Sequence, residues 1–207
     1  MLASDGVPVL IHDETLERTT TGSGRVAQTE SGSLVRLDAG RWFAPEFAGE
    51  TVPLFADAAA LCIQLGLWAN VEIKSAKGAE RATGHAVAAV SARLWRNAPH
   101  APLLSSFSVD ALEAARETSP SLLRALLVDG IPPDWQERMV SLACVSLHCD
   151  YRKLTVEQAK SVREAGYALV CYTVNEVETA RKLFASGVDA IITDRLDRIG
   201  PDFFGQA

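Results

Sequence analysis

Two stretches of this 207-residue chain carry residue types that could do chemistry. In "VPVLIHDETLERTT" a short apolar run ends in His12-Asp13. Histidine is the side chain whose ordinary pKa lies nearest neutrality, so it is the natural proton shuttle, although at a strand end it can equally be a surface or capping residue. In "ANVEIKS" the alternation of a strand puts Asn70, Glu72 and Lys74 on one face and Val71 and Ile73 on the other. A carboxylate and an ammonium so close on a buried strand are costly unless they are paired, metal-bound or serving a ligand. The pair therefore reads either as a structural ion pair or as a metal ligand, Glu72, beside a phosphate-binding cation, Lys74. Further along, Phe107 ends "SSFS", and "CYTVNE" carries Tyr172 and Asn175. These three could make an apolar wall and a polar contact for a small polyol, or serve as core and caps. His148 and Asp150 in "VSLHCD" read as ordinary strand-end residues, although a histidine at a barrel mouth can also be a ligand, and Asp194 in "IITDR" reads as a cap or a partner of Arg195. A carboxylate pair of Asp13 and Glu72 would suit a glycosidase, but Lys74 beside Glu72 argues for an anionic ligand.

Something must hold these residues together. Asp5-Gly6 is a strong hairpin-turn signal, with Val7–Ile11 as the strand after it and only Met1 and Leu2 before it. Residues 14–53 are rich in Thr, Ser and Gly, then in Pro and aromatics without a period; they read as an irregular insertion packed by Trp42, Phe43 and Phe47. From residue 54 apolar strands alternate with helices. Helices are expected over 55–66, 79–97, 109–118, 132–142, 155–166 and 175–187, with Thr155 as an N-cap and Gly66, Gly166 and Gly187 as stops. Strands are expected over 67–74, 102–108, 122–128, 143–149, 167–174 and 188–194. Apolar strands alternating with helices make a parallel sheet covered on both faces. No G-x-G-x-x-G follows the first strand, which argues against a dinucleotide fold. The expected fold is α/β, a (β/α)8 TIM-type barrel with active groups at the C-terminal ends of its strands.

Composition narrows the partners. The net charge of −6 offers no basic surface for nucleic acid. No apolar run reaches the roughly 18 residues of a membrane span, and the start carries no signal-peptide pattern. The four cysteines, Cys62, Cys144, Cys149 and Cys171, have no C-x-x-C spacing and read as buried free thiols. A cytoplasmic protein is expected.

Taken together, "DGVPVLIHDETLERTT", "NVEIK", "LLSSFS", "YTVN" and "GVDAIITD" resemble the glycerophosphodiester phosphodiesterase family. "DAGRWF", "LLSSFSVDALEAA" and "IGPDFF" are similar to its bacterial cytoplasmic branch, which serves glycerol-3-phosphate uptake. The resemblance covers essentially the whole chain. It implies a barrel enzyme that hydrolyses glycerophosphodiesters to glycerol 3-phosphate and an alcohol such as choline or ethanolamine, with a divalent cation, Mg²⁺ or Ca²⁺. It implies that His12 is one of two acid/base histidines, that Glu72 is a metal ligand followed by Lys74, and that Tyr172 contacts the glycerol.

The family's H-R-G and E-x-D motifs, which carry the other histidine, an arginine and two further carboxylate ligands, do not occur in this sequence. The expectation is therefore a single domain over 1–207, incomplete at its N-terminus and lacking the first two barrel strands and the first helix. Such a chain is expected to be poorly folded or inactive alone. A non-catalytic remnant that binds a ligand or partner is the alternative.

Overall fold

The computed structural model describes residues 1–200 and Phe203, so part of "IGPDFF" lies outside the described residues. The chain divides into two compact units, residues 1–123 and 124–207.

The first unit opens on a small hairpin. Gly6 takes φ +77°, the left-handed value a tight turn requires and an L side chain resists. Ala3 N–H donates to Val7 O at 3.0 Å and Val9 N–H to Met1 O at 2.9 Å. The arm before the turn is Met1–Ala3. Neither arm grows into a full strand: pairing stops at single antiparallel bridges, Leu2 with Pro8 and Val9 with Leu54. Pro8 has no N–H to continue a ladder.

The 14–53 segment contains a four-residue helix, α1 (Ser31–Leu34), and two 3-10 turns, Val26–Gln28 and Pro45–Phe47. Its packing differs from expectation. Trp42, Phe43 and Phe47 are 53%, 70% and 42% exposed. The buried cluster is Met1, Ala3, Val9, Leu16, Val26, Leu34 and Val52. These aliphatic residues come from both the hairpin and the insertion, so the segment is a folded layer on the hairpin.

Regular alternation follows, with α2 (Phe55–Gln64), β1 (Asn70–Glu72), α3 (Glu80–Leu94), β2 (Leu103–Ser106) and α4 (Val109–Thr118). β1 and β2 are parallel, with Glu72 opposite Ser105. Ile73, Val87, Ala88, Leu104, Ala111 and Trp95 belong to the core between them and the helices. Gly84 permits close packing of α3 on α4: a Cβ there would sit 2.3 Å from Ala111 O.

The second unit begins at Arg124, within β3 (Leu123–Val128), and continues with α5 (Trp135–Ser141), β4 (Ser146–Asp150), α6 (Val156–Glu164), β5 (Ala168–Tyr172), α7 (Val177–Ala185) and β6 (Ala190–Ile191). β3 to β6 pair in parallel and in chain order. The α5 helix starts at Trp135, after the prolines that were expected to begin it. Thr155 caps α6 in a full capping box with Gln158. Gly66, Gly166 and Gly187 stop their helices with φ of +66°, +82° and +96°. All six expected strands form, shorter than the apolar runs that announced them. Among the described residues no helix is long and apolar enough to cross a membrane, and the four cysteines are free thiols.

Candidate functional site

The hairpin and the end of β1 supply the chemistry of the first unit. Leu10 N–H donates to Pro53 O and Phe55 N–H to Pro8 O, both at 3.0 Å, which ties the hairpin arm to the entry of α2. Val9 is 1% exposed and anchors the arm. His12, just beyond, swings its ring into the open with 72% of the side chain exposed.

Four side chains then form a line. His12 Nδ1 lies 2.7 Å from Asp13 Oδ1. Arg18 donates from Nη2 to Asp13 Oδ1 at 2.8 Å and from Nε to the other oxygen. On the opposite side of the ring, Lys74 Nζ lies 2.8 Å from His12 Nε2. Hydrogen bonds from Arg18 first, and from His12 second, hold the Asp13 carboxyl well below the usual carboxylate range.

Lys74 reaches this position because β1 carries it there. Ile73, 2% exposed, faces the core. Its N–H donates to Ser105 O at 2.7 Å, and its carbonyl accepts from Ser106 Oγ at 2.7 Å. Pairing with β2 thus continues past Glu72, and alternation sends Glu72 and Lys74 the other way. The expected division of faces holds, but Asn70 and Glu72 are exposed, so their side of the strand is open rather than buried. Lys74 turns to His12, so the structural Glu72–Lys74 ion pair is not the contact it makes.

A cavity of about 360 Å³ is lined by His12, Glu72, Lys74 and Phe107, together with Met1 and residues that sequence reasoning missed: Glu14, Glu80 and Asp110. Glu80 and Asp110 stand in the first turns of α3 and α4, where acidic residues are common for helix-dipole reasons. Their pattern carried no separate signal. Met1 N donates to Val9 O at 2.9 Å. A second cavity of about 430 Å³, floored by Phe55, Cys62, Val71 and Trp95, shares His12, Glu72 and Lys74 with the first.

Four carboxylates around the first cavity favour a cation, and hard oxygen donors suit Mg²⁺ or Ca²⁺. Yet among the described residues no three His, Cys, Asp or Glu converge to hold a metal ion. Glu72 has the donor chemistry and lacks the companions, so the residues described do not by themselves fit a complete cation site.

Tyr172 and Asn175 belong to the second unit. The Tyr172 hydroxyl donates to Val128 O at 2.7 Å, bracing β5 on β3. Asn175 Oδ1 accepts from Asp194 N at 2.9 Å and from Thr193 Oγ1 at 3.1 Å, and its Nδ2 donates to Asp194 Oδ2 at 3.1 Å. Asp194 therefore pairs with Asn175. Arg195, expected as its partner, grips Asp197 through two nitrogens at 2.7 and 2.8 Å. His148 is 1% exposed in β4 with neither ring nitrogen hydrogen-bonded among the described residues, and burial lowers its pKa to about 4. Asp150 is held by Arg152.

Residues 1–198 match the model of the glycerophosphoryl diester phosphodiesterase family. A glycerophosphodiester phosphodiesterase of Caldanaerobacter subterraneus subsp. tengcongensis is 32% identical over 194 residues, covering 93% of this chain and 79% of that protein. Among solved structures, a phosphodiesterase of Oleispira antarctica in complex with the product sn-glycerol-3-phosphate superposes with TM-score 0.86 at 36% identity, over 94% of this chain and 78% of that one. A glycerophosphodiester phosphodiesterase of Agrobacterium tumefaciens superposes with TM-score 0.79 at 25% identity, over 100% and 84%.

Proposed function

Because the chain belongs to the glycerophosphoryl diester phosphodiesterase family, we propose that it hydrolyses glycerophosphodiesters to glycerol 3-phosphate and an alcohol such as choline or ethanolamine. One observation carries this reading: His12 and Lys74, 62 residues apart, meet at one cavity that Glu72 and Phe107 also line. The Oleispira antarctica relative, similar along nearly the whole chain, holds the glycerol 3-phosphate such a reaction would release. The parent fold of this reading is the (β/α)8 barrel, and the location is the cytoplasm.

The roles follow from donor chemistry. The Lys74 ammonium has only donors, so an incoming phosphate oxygen competes with His12 Nε2 for it. When Lys74 turns to phosphate, the His12 lone pair is released to move a proton, either from the attacking water or, as imidazolium, to the leaving alkoxide. Phe107, which lines the same cavity as His12 and Lys74, walls the glycerol. The family resemblance implies a divalent cation, Mg²⁺ or Ca²⁺, with Glu72 as one ligand. The roles given to His12 and Lys74 do not pass through it.

A non-catalytic binder is the second reading, favoured by the lack of three converging metal ligands among the described residues. Glycerol 3-phosphate release from glycerophosphocholine, measured with the full chain in Mg²⁺ or Ca²⁺, separates the two. Release that is lost in His12→Ala supports the hydrolase. Calorimetric binding of glycerol 3-phosphate without turnover supports the binder.

A further inference from the structure

His12 has an acceptor on one side and a donor on the other. Asp13, ionised by its bonds to Arg18 and His12, can only accept, so the proton of a neutral His12 ring must sit on Nδ1. Lys74 can only donate, so Nε2 must present its lone pair. The group that holds the acceptor in place is Arg18. It engages both oxygens of Asp13, leaving the carboxylate no freedom to rotate away from the ring.

Arg18 is itself placed by packing. Its side chain is 57% exposed, yet its guanidinium lies 5.9 Å from the centroid of the Trp42 ring. That ring is tethered in turn, with Trp42 Nε1 donating to Ala39 O at 2.9 Å. At the other end of the loop, Leu16 is buried and its N–H donates to Gly24 O at 3.0 Å. The insertion thus reaches the reacting histidine through Trp42, Arg18 and Asp13.

We propose that Arg18 is a positioning residue: by clamping Asp13 it fixes His12 as the Nδ1–H tautomer and aims the Nε2 lone pair at the cavity. A histidine with the other tautomer would offer an N–H where the proton must be received. The catalytic consequence rests on the hydrolase reading above; the tautomer does not.

The test uses the full chain with ¹⁵N-labelled histidine at about pH 8, read by the two ring-nitrogen shifts of His12, beside steady-state hydrolysis of glycerophosphocholine. In the parent chain Nδ1 is expected in the protonated range and Nε2 in the lone-pair range. In a Lys74→Met background, where no donor holds Nε2, Arg18→Met should mix the two tautomers, and with Lys74 in place it should lower kcat by about 10- to 100-fold with KM changed less than about threefold. Arg18→Lys, which keeps charge but not the fork, should recover only part of both. If Arg18→Met loses its dispersed amide spectrum, Asp13→Asn supplies the same comparison and should show the same mixing. Retention of the Nδ1–H tautomer in these variants of the Lys74→Met chain overturns the proposal, as does mixing there with kcat unchanged where Lys74 is kept. A parent chain that hydrolyses nothing sinks the hydrolase reading while the ring-nitrogen shifts still decide the placement of His12.

Discussion

Lys74 Nζ stands 2.8 Å from His12 Nε2, although 62 residues separate them. In the proposed hydrolysis Lys74 binds phosphate and His12 moves the proton, so binding and proton transfer would be coupled: an anion that draws Lys74 away would release the base. Lys74→Met should weaken glycerol 3-phosphate binding by about 10- to 100-fold, the equivalent of a charged hydrogen bond. Isothermal calorimetry checks it, and an unchanged affinity removes Lys74 from phosphate recognition.

His12→Ala should lower kcat by about 10² to 10⁴. The side chain is mostly exposed, so the urea midpoint should move little, within about 0.5 kcal/mol. A variant that keeps most of its activity would show that His12 moves no proton.

Cation removal gives a separate expectation. Hydrolysis should stop in EDTA and return with Mg²⁺ or Ca²⁺, and Glu72→Gln should need more cation for half-maximal activity. Activity indifferent to chelator would take Glu72 out of any metal role.

His148 predicts a pH dependence of stability. Burial lowers its folded-state pKa to about 4, from 6.5. The unfolded chain therefore binds the proton first as pH falls, and stability is fully present above pH 6.5 and declines toward pH 4. The decline attributable to this residue is about 3 kcal/mol. His148→Leu should flatten the urea midpoint over this window, and an unaltered slope would assign the acid sensitivity elsewhere.

Gly84→Ala tests the packing of α3 on α4. The added methyl would meet a backbone carbonyl, Ala111 O, which cannot turn aside. The substitution should destabilise by about 1–3 kcal/mol despite the better helix propensity of alanine. Chemical denaturation measures it, and a stabilised variant would show that the two helices can separate at no cost.

Much was legible because it is local. Thr155 with Gln158 makes a capping box from residues three apart, and the helix-stopping glycines take the positive φ that only their lack of a Cβ makes easy. The alternation of "NVEIK" put Val71 and Ile73 on one face and Asn70, Glu72 and Lys74 on the other. The insertion was not legible in the same way. It has no period, so its large aromatics looked like core, whereas Leu16, Val26, Leu34 and Val52 are buried and Trp42 instead supports Arg18.

By itself, then, the sequence determined the helices and strands from residue 54 onward, the family, and the presence of Glu72 and Lys74 at the end of β1, because periodicity, capping and motif spacing act over a few residues. The partners were decided by tertiary structure alone. Whether Lys74 met Glu72 or His12, whether Asp194 met Arg195 or Asn175, and whether Glu14, Glu80 and Asp110 reached the cavity depended on which elements pack side by side. That is set by burial of apolar surface shared among residues far apart in the chain, and no local pattern encodes it.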